Sequence, residues 1–143
     1  MRQDIRAAWP GIDPDYRLAL TQAVIFLNEG NPVVAGSDHD ELARQLSRED
    51  PRHELWPSFA DLIIEEFLHD LGDWNLEEWR AAEPSPTIPG YELVLFTRAE
   101  EGAGEPAEMH VRGVLMHLRD DRWLVAGLSA RPATPGWPPD LGY

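Results

Sequence analysis

The sequence predicts an α+β domain in which three N-terminal helices pack on one face of an antiparallel sheet of three to four strands. Three observations carry that expectation. Apolar residues recur at helical spacing through the first half of the chain, as in Ala60, Ile63, Ile64, Phe67, Leu68 and Leu71. Beyond Pro89 the pattern changes to strand-length apolar runs. The stretch from Glu108 to Arg131 reads as a hairpin, EMHVRGVLMHL and RWLVAGLSAR around the charged turn RDD.

Each element has a local signal. Residues 1–12 show no period and read as a loosely held arm, with Ile5 and Trp9 able to dock. Asp13-Pro14 opens the first helix, with Asp as N-cap and Pro where a missing N–H costs nothing. That helix is expected to run to about Glu29 and to stop at Gly30, burying Tyr16, Leu20, Ala23, Val24 and Leu27. Asp38 with Glu41 three residues on has capping-box spacing and predicts a short helix over 38–48, with Leu42, Ala43 and Leu46 inward. A loop over 49–57 and a cap-like Ser58 with Asp61 precede the third helix, which is expected to end at Gly72. Residues 73–82 fit either a helix or an edge strand, with the strand favoured. Tyr91 to Arg98 is a strand, and the tail from Pro132 is too proline-rich for regular structure.

The closing runs are apolar almost continuously: Val114, Leu115, Met116 and Leu118, then Trp123 to Ala126 and Leu128. A half-exposed strand would alternate, so both sheet faces are expected to be covered. Helices can cover only one. A second copy of the chain is the favoured cover for the other, which predicts a homodimer through the sheet face; the C-terminal tail is the alternative.

Composition narrows the rest. At 143 residues the chain is expected to form a single domain, 1–143. There is no cysteine, so disulfides, thiol nucleophiles and thiolate metal sites are excluded. The net charge is −14, and all 12 basic residues are arginine, a bias expected of a GC-rich bacterial coding sequence. Such acidity argues against nucleic acid and anionic membranes as partners. No apolar run approaches a membrane span and no signal-peptide pattern opens the chain, so a cytoplasmic protein is expected. The acids Asp61, Glu65, Glu66, Asp70, Asp73, Glu77 and Glu78 follow one another without an intervening arginine. They read as a solvated helix face or, alternatively, as a decoy-like or immunity-type surface for a basic partner.

The closing strand Asp121-Arg122-Trp123-Leu124-Val125-Ala126-Gly127, placed after a long, a short and an amphipathic helix, resembles the nuclear transport factor 2-like (cystatin-like, SnoaL-like) superfamily over roughly residues 14–130. The resemblance implies a curved sheet wrapped around its helices as a cone, often dimeric through the sheet, with a pocket at the open end. Members usually carry a hairpin between the second and third helices. Here only the loop at 49–57 is available, which implies a reduced cone and weakens the case for a full-depth catalytic pocket.

Enzymes of that superfamily are cofactor-free isomerases, dehydratases and cyclases with an Asp or His base and a Tyr donor, and the resemblance makes Tyr16, His110 and His117 the catalytic candidates. Tyr16 reads more readily as core or helix-cap packing. His110 and His117 have opposite parity on one strand, so they cannot share a pocket without a bulge, and both read as sheet-surface or interface residues. Trp56, Trp74, Tyr91 and Trp123 are the candidate ligand-pocket residues, although buried packing explains tryptophans as well. Asp38-His39-Asp40 and His69-Asp70 with Asp73 lack a second cluster at metal-ligand spacing, and no metal or cofactor is implied. The favoured function is non-catalytic binding of a small apolar ligand or a protein partner.

Overall fold

A computed structural model describes residues 5–68, 79–100 and 108–142. It is α+β, with helices preceding an antiparallel sheet that does not close. The described helices are α1 (Ile5–Ala8), α2 (Pro14–Leu27), α3 (Pro32–Ala35), α4 (His39–Leu46) and α5 (Trp56–Phe67), and a 3-10 turn covers Trp9–Gly11. The strands are β1 (Arg80–Ala81), β2 (Ser85–Pro86), β3 (Tyr91–Glu100), β4 (Glu108–Arg119) and β5 (Arg122–Gly127). They lie in the order β1-β3-β4-β5, and β2 shares the outer edge of β3 with β1.

The three expected helices are present, with local corrections. Residues 5–12 are not a loose arm. Ile5, Trp9 and Ile12 are buried in the helical core, and the Trp9 indole stacks at a tilt on Trp56, 5.0 Å between centroids. Its N–H donates to the Arg48 carbonyl at 2.9 Å, so the ring is buried with its polar atom satisfied. The third long helix starts at Trp56 rather than Ser58, because Pro57 fits its first turn and His53 Nδ1 accepts the N–H of Leu55 just ahead of it. The single-turn α3 has its own cap, Asn31 accepting from the Val33 N–H at 3.0 Å, a signal too short to register as a periodic segment. The third long helix ends at Phe67 with Leu68 as its C-cap, four residues short of the expected end at Leu71–Gly72, and residues 69–78, which include most of the ambiguous stretch, lie outside the described residues. Residues 80–81 of that stretch are strand.

Arg17, on α2, is buried among these helices, and its guanidinium donates to the carbonyls of Ile12 (2.6 Å), Ser47 (2.9 Å) and Trp9 (3.4 Å). Burial lowers its pKa from the ordinary arginine value, with Glu49 and Asp13 opposing. Its acceptors include the C-cap carbonyl of α4, where a cation is favoured. One side chain thereby ties the N-terminal segment to two helices.

Helices and sheet meet along β5. Ile12 pairs with Val125 as a parallel bridge, the Asp13 N–H donates to the Val125 carbonyl at 2.8 Å, and Val125 and Leu128 pack on the helical core. The tail runs from β5, where the Ala133 N–H donates to the Ala126 carbonyl at 3.3 Å, onto the helices. Ala133 enters the core, the Gly136 N–H donates to Gln22 Oε1 (2.9 Å), and the Trp137 indole N–H donates to Asp40 (2.8 Å). The single chain therefore does not cover both sheet faces: Leu95, Val111, Leu118 and Trp123 are all exposed. Residues 47–55 hold no strand, as expected of the loop between the second and third helices. Among the described residues no helix is long and apolar enough to cross a membrane.

The β4–β5 turn is a two-residue loop. Arg119 pairs with Arg122, and Asp120 and Asp121 both adopt positive φ, 51° and 61°. This is the primed turn whose twist matches that of the strands, built with the residue type that best tolerates φ > 0 after Gly and Asn. Replacing Asp121 with Val is expected to cost about 1–2 kcal/mol, because a β-branched residue is strained there. Replacing it with Gly should leave the urea midpoint unchanged or slightly higher.

Candidate functional site

The groups that come together do so where α2 starts. Asp13 is its N-cap: Oδ1 accepts the Asp15 N–H at 3.0 Å. Its second oxygen faces the sheet, accepting from His117 Nδ1 at 2.7 Å and lying 3.4 Å from Arg119 Nε. The carboxylate is almost fully buried (3% exposed) and His117 nearly so (17%). A buried carboxylate needs hydrogen-bond partners, and each oxygen of this one has one. Since Asp13 can only accept, His117 carries a proton on Nδ1; in the neutral ring Nε2 is then an acceptor.

The imidazole is clamped from the sheet side. Tyr91, its register partner on β3, stacks on it with centroids 4.1 Å apart and planes 4° off parallel. Tyr91 closes a four-residue turn in which its N–H donates to the Ile88 carbonyl (2.9 Å), with Pro89 and then Gly90 in the middle. Gly90 has φ +86°, as the third position of a type II turn requires. A Cβ there would be strained and would lie 3.8 Å from the His117 ring. The Tyr91 hydroxyl is held above its ordinary pKa, first by burial and then by the negative charges of Asp13 and Asp15, with Arg119 opposing.

On the other side of that turn lies a cleft of about 480 Å³, with Ile88, Gly90, Tyr91, Glu92, Leu118 and Trp123 in its wall. Leu118 and Trp123 are register partners, and the Leu118 N–H donates to the Gly90 carbonyl at 2.8 Å, which fixes the hairpin against the 86–90 loop. Ile88, Leu118 and Trp123 are 49%, 42% and 45% exposed. A second cleft of about 410 Å³, between α4 and the start of α5, is walled by polar and charged residues, Arg48, Arg52 and His53 among them, and Arg52 is paired with Asp50.

The sequence candidates divide accordingly. Tyr91 and Trp123 meet at the cleft. His117 lies behind its wall on the Asp13 side and is not among its lining residues. Tyr16 is buried in the helical core, and the side chain that reaches His117 from this end of α2 is Asp13. Trp56 is a core residue against Trp9, not a pocket residue, because α5 turns it inward. Trp74 lies outside the described residues, as does the side chain of His110, whose backbone pairs with Arg98. Trp79 is buried under the guanidiniums of Arg98 and Arg112, at 5.2 and 5.6 Å. Of the acid run, Asp61, Glu65 and Glu66 are exposed on α5, and Asp70, Asp73, Glu77 and Glu78 lie outside the described residues. No metal-holding group of three or more His, Asp or Glu occurs among the described residues.

Sequence reasoning assigned Asp13 its cap and missed its second contact, with a residue 104 positions away. Comparison with protein-family models, curated proteins and solved structures yields no match.

Two measurements probe the site. Asp13→Ser keeps a capping oxygen and removes the contact to His117, whereas Asp13→Ala removes both. Both should destabilise the protein, Ala by about 1 kcal/mol more than Ser, read from urea unfolding. For Tyr91, a raised folded pKa means the neutral phenol is the form the fold favours. That stability is present below the unfolded value of about 10 and is lost as pH rises through the higher folded value. Tyr91→Phe should therefore lose less stability than the wild type between neutral and strongly alkaline pH.

Proposed function

We propose that this chain is a non-catalytic binding domain, a reduced relative of the nuclear transport factor 2-like superfamily. Its ligand is a small apolar molecule held in the cleft between the 86–90 loop and the β4–β5 hairpin. One observation carries the reading: three large apolar side chains, Ile88, Leu118 and Trp123, stand half exposed around a cleft of about 480 Å³. That volume is in the range of small-molecule sites, which run roughly 300–1,000 Å³ and are mostly apolar with few polar groups. An uncharged naphthalene probe should bind and change the tryptophan fluorescence. Trp123→Ala should weaken it at least about tenfold, the equivalent of losing about half the value of a buried aromatic ring. Unchanged affinity in that variant would remove the reading.

The domain works as a homodimer in this proposal. Leu95 and Val111 are 40% and 56% exposed and share one sheet face, since Leu95 pairs with Gly113 and Thr97 with Val111. Val111 has the parity of His117, so this patch is the part of the helix-bearing face that the helices leave open, and Leu118 has the opposite parity, so pairing there leaves the cleft open. Sedimentation at micromolar concentration should give a dimer, and Val111→Arg a monomer. A monomeric wild type would count against the pairing and leave the cleft untouched.

The Asp13–His117 pair favours a second reading, cofactor-free acid–base chemistry with His117 Nε2 as the base and Tyr91 beside it. It requires that Nε2 be reachable. Modification of His117 by diethyl pyrocarbonate at a rate comparable to that of His53 is its minimum condition, and protection of His117 would end it.

A further inference from the structure

The cleft has a charge as well as an apolar wall. Glu92 lines it, and on β3 it pairs with Met116, two residues from Leu118. The Asp120–Asp121 turn closes the strand pair that supplies Leu118 and Trp123. A strand advances about 3.3 Å per residue, so these aspartates start within about 7 Å of the Leu118–Trp123 pair along the chain. All three carboxylates lack an ion-pair partner among the described residues. The two arginines that bracket the turn are drawn elsewhere. Arg119 lies against Asp13 (3.4 Å) and Asp15 (3.5 Å), and Arg122 donates to the Pro10 carbonyl (3.1 Å) and approaches Glu49 (3.9 Å). The apolar wall therefore stands beside uncompensated negative charge, with the exposed face of an indole next to it.

Resting on the binding reading above, we propose that the cleft selects a cationic amphiphile, a small molecule in which an aromatic or aliphatic body carries an ammonium or guanidinium group. The body packs on Ile88, Leu118 and Trp123. The cation takes Glu92, the carboxylate in the cleft's wall, as its counter-ion, and the two turn aspartates beyond the Leu118–Trp123 pair add to the negative field, with the half-exposed indole as a further favourable surface. An anionic ligand of the same shape is repelled by the same groups, so the acids act as selectivity elements more than as a source of packing energy.

The test uses three naphthyl probes with matched bodies ending in an ammonium, a methyl and a carboxylate, titrated into the full chain at low salt with tryptophan fluorescence as readout. The ammonium probe should bind at least about tenfold tighter than the uncharged one, and the carboxylate probe more weakly than either. Raising the salt should shrink that spread. The chain's overall charge of −14 attracts cations anyway, so the decisive variant is E92Q/D120N/D121N. Asn tolerates positive φ and keeps the turn, so this variant should lose the ammonium preference, read as the ratio of ammonium-probe to uncharged-probe affinity within the same variant. Equal binding of ammonium and uncharged probes to the wild type overturns the proposal, and so does an ammonium preference that survives the triple substitution; both leave the apolar cleft standing. Failure of all three probes to bind overturns the cleft itself.

Discussion

The molecule is organised around one buried carboxylate. Asp13 uses every polar group it has: its N–H donates to Val125, its carbonyl accepts from the Arg17 N–H, one side-chain oxygen caps α2, and the other faces His117 and Arg119. Because a buried charge without partners is far more costly than a buried pair is stabilising, these contacts constrain each other. The start of α2 can sit at only one place along β5, the place where β4 presents His117. Tyr91 and Gly90 then fix the imidazole from the far side, and the register of β3 follows from the Tyr91–His117 pairing.

That junction has an electrostatic consequence some distance away. Asp13 and Asp15 attract Arg119, and the N-terminal segment engages Arg122, so both cations next to the hairpin turn face away from it. Asp120 and Asp121 are left to solvent in a chain with more than twice as many acidic as basic residues, 26 against 12. The charge around the cleft is thus the residue of a structural demand met elsewhere. It needs no separate arrangement at the cleft itself.

Much of this was legible in the sequence where the signal is local. The caps Asp13 and Asp38, the apolar stripe through Ile63, and the charged turn each depend on neighbours within one turn of chain, and the structure shows each of them, with the turn shortened from RDD to Asp120–Asp121 because Arg119 joins the strand. The opposite parity of His110 and His117 is likewise a property of one strand, and the backbone register keeps it. What was hidden depends on two distant segments at once. Nothing near Asp13 announces that its free oxygen meets His117, because a cap explains the residue completely. Trp56 was misread for a related reason: composition marks it as aromatic, while only the docking of residues 5–12 shows it facing Trp9. The burial of that segment was itself obscured, since two short helical turns have no period to detect.

Strand alternation explains how β4 serves two purposes within three residues. His117 points to the buried junction and Leu118 to the cleft, so the side chain that secures α2 is not among those in the cleft's wall. This weighs against acid–base catalysis at the cleft more than any pKa would. A base must reach the reacting atom, and His117 is turned from the cleft by the same pleat that brings Leu118 into it. For His117 to act there, the strand would need a bulge on β4 between the two. The register irregularity falls instead opposite Leu115 and Met116, where β5 holds the extra residue, Ala126. The bulge is confined to β5 and leaves the alternation of β4 intact, so the apolar face at Leu118 and Trp123 stays separate from the polar junction behind it.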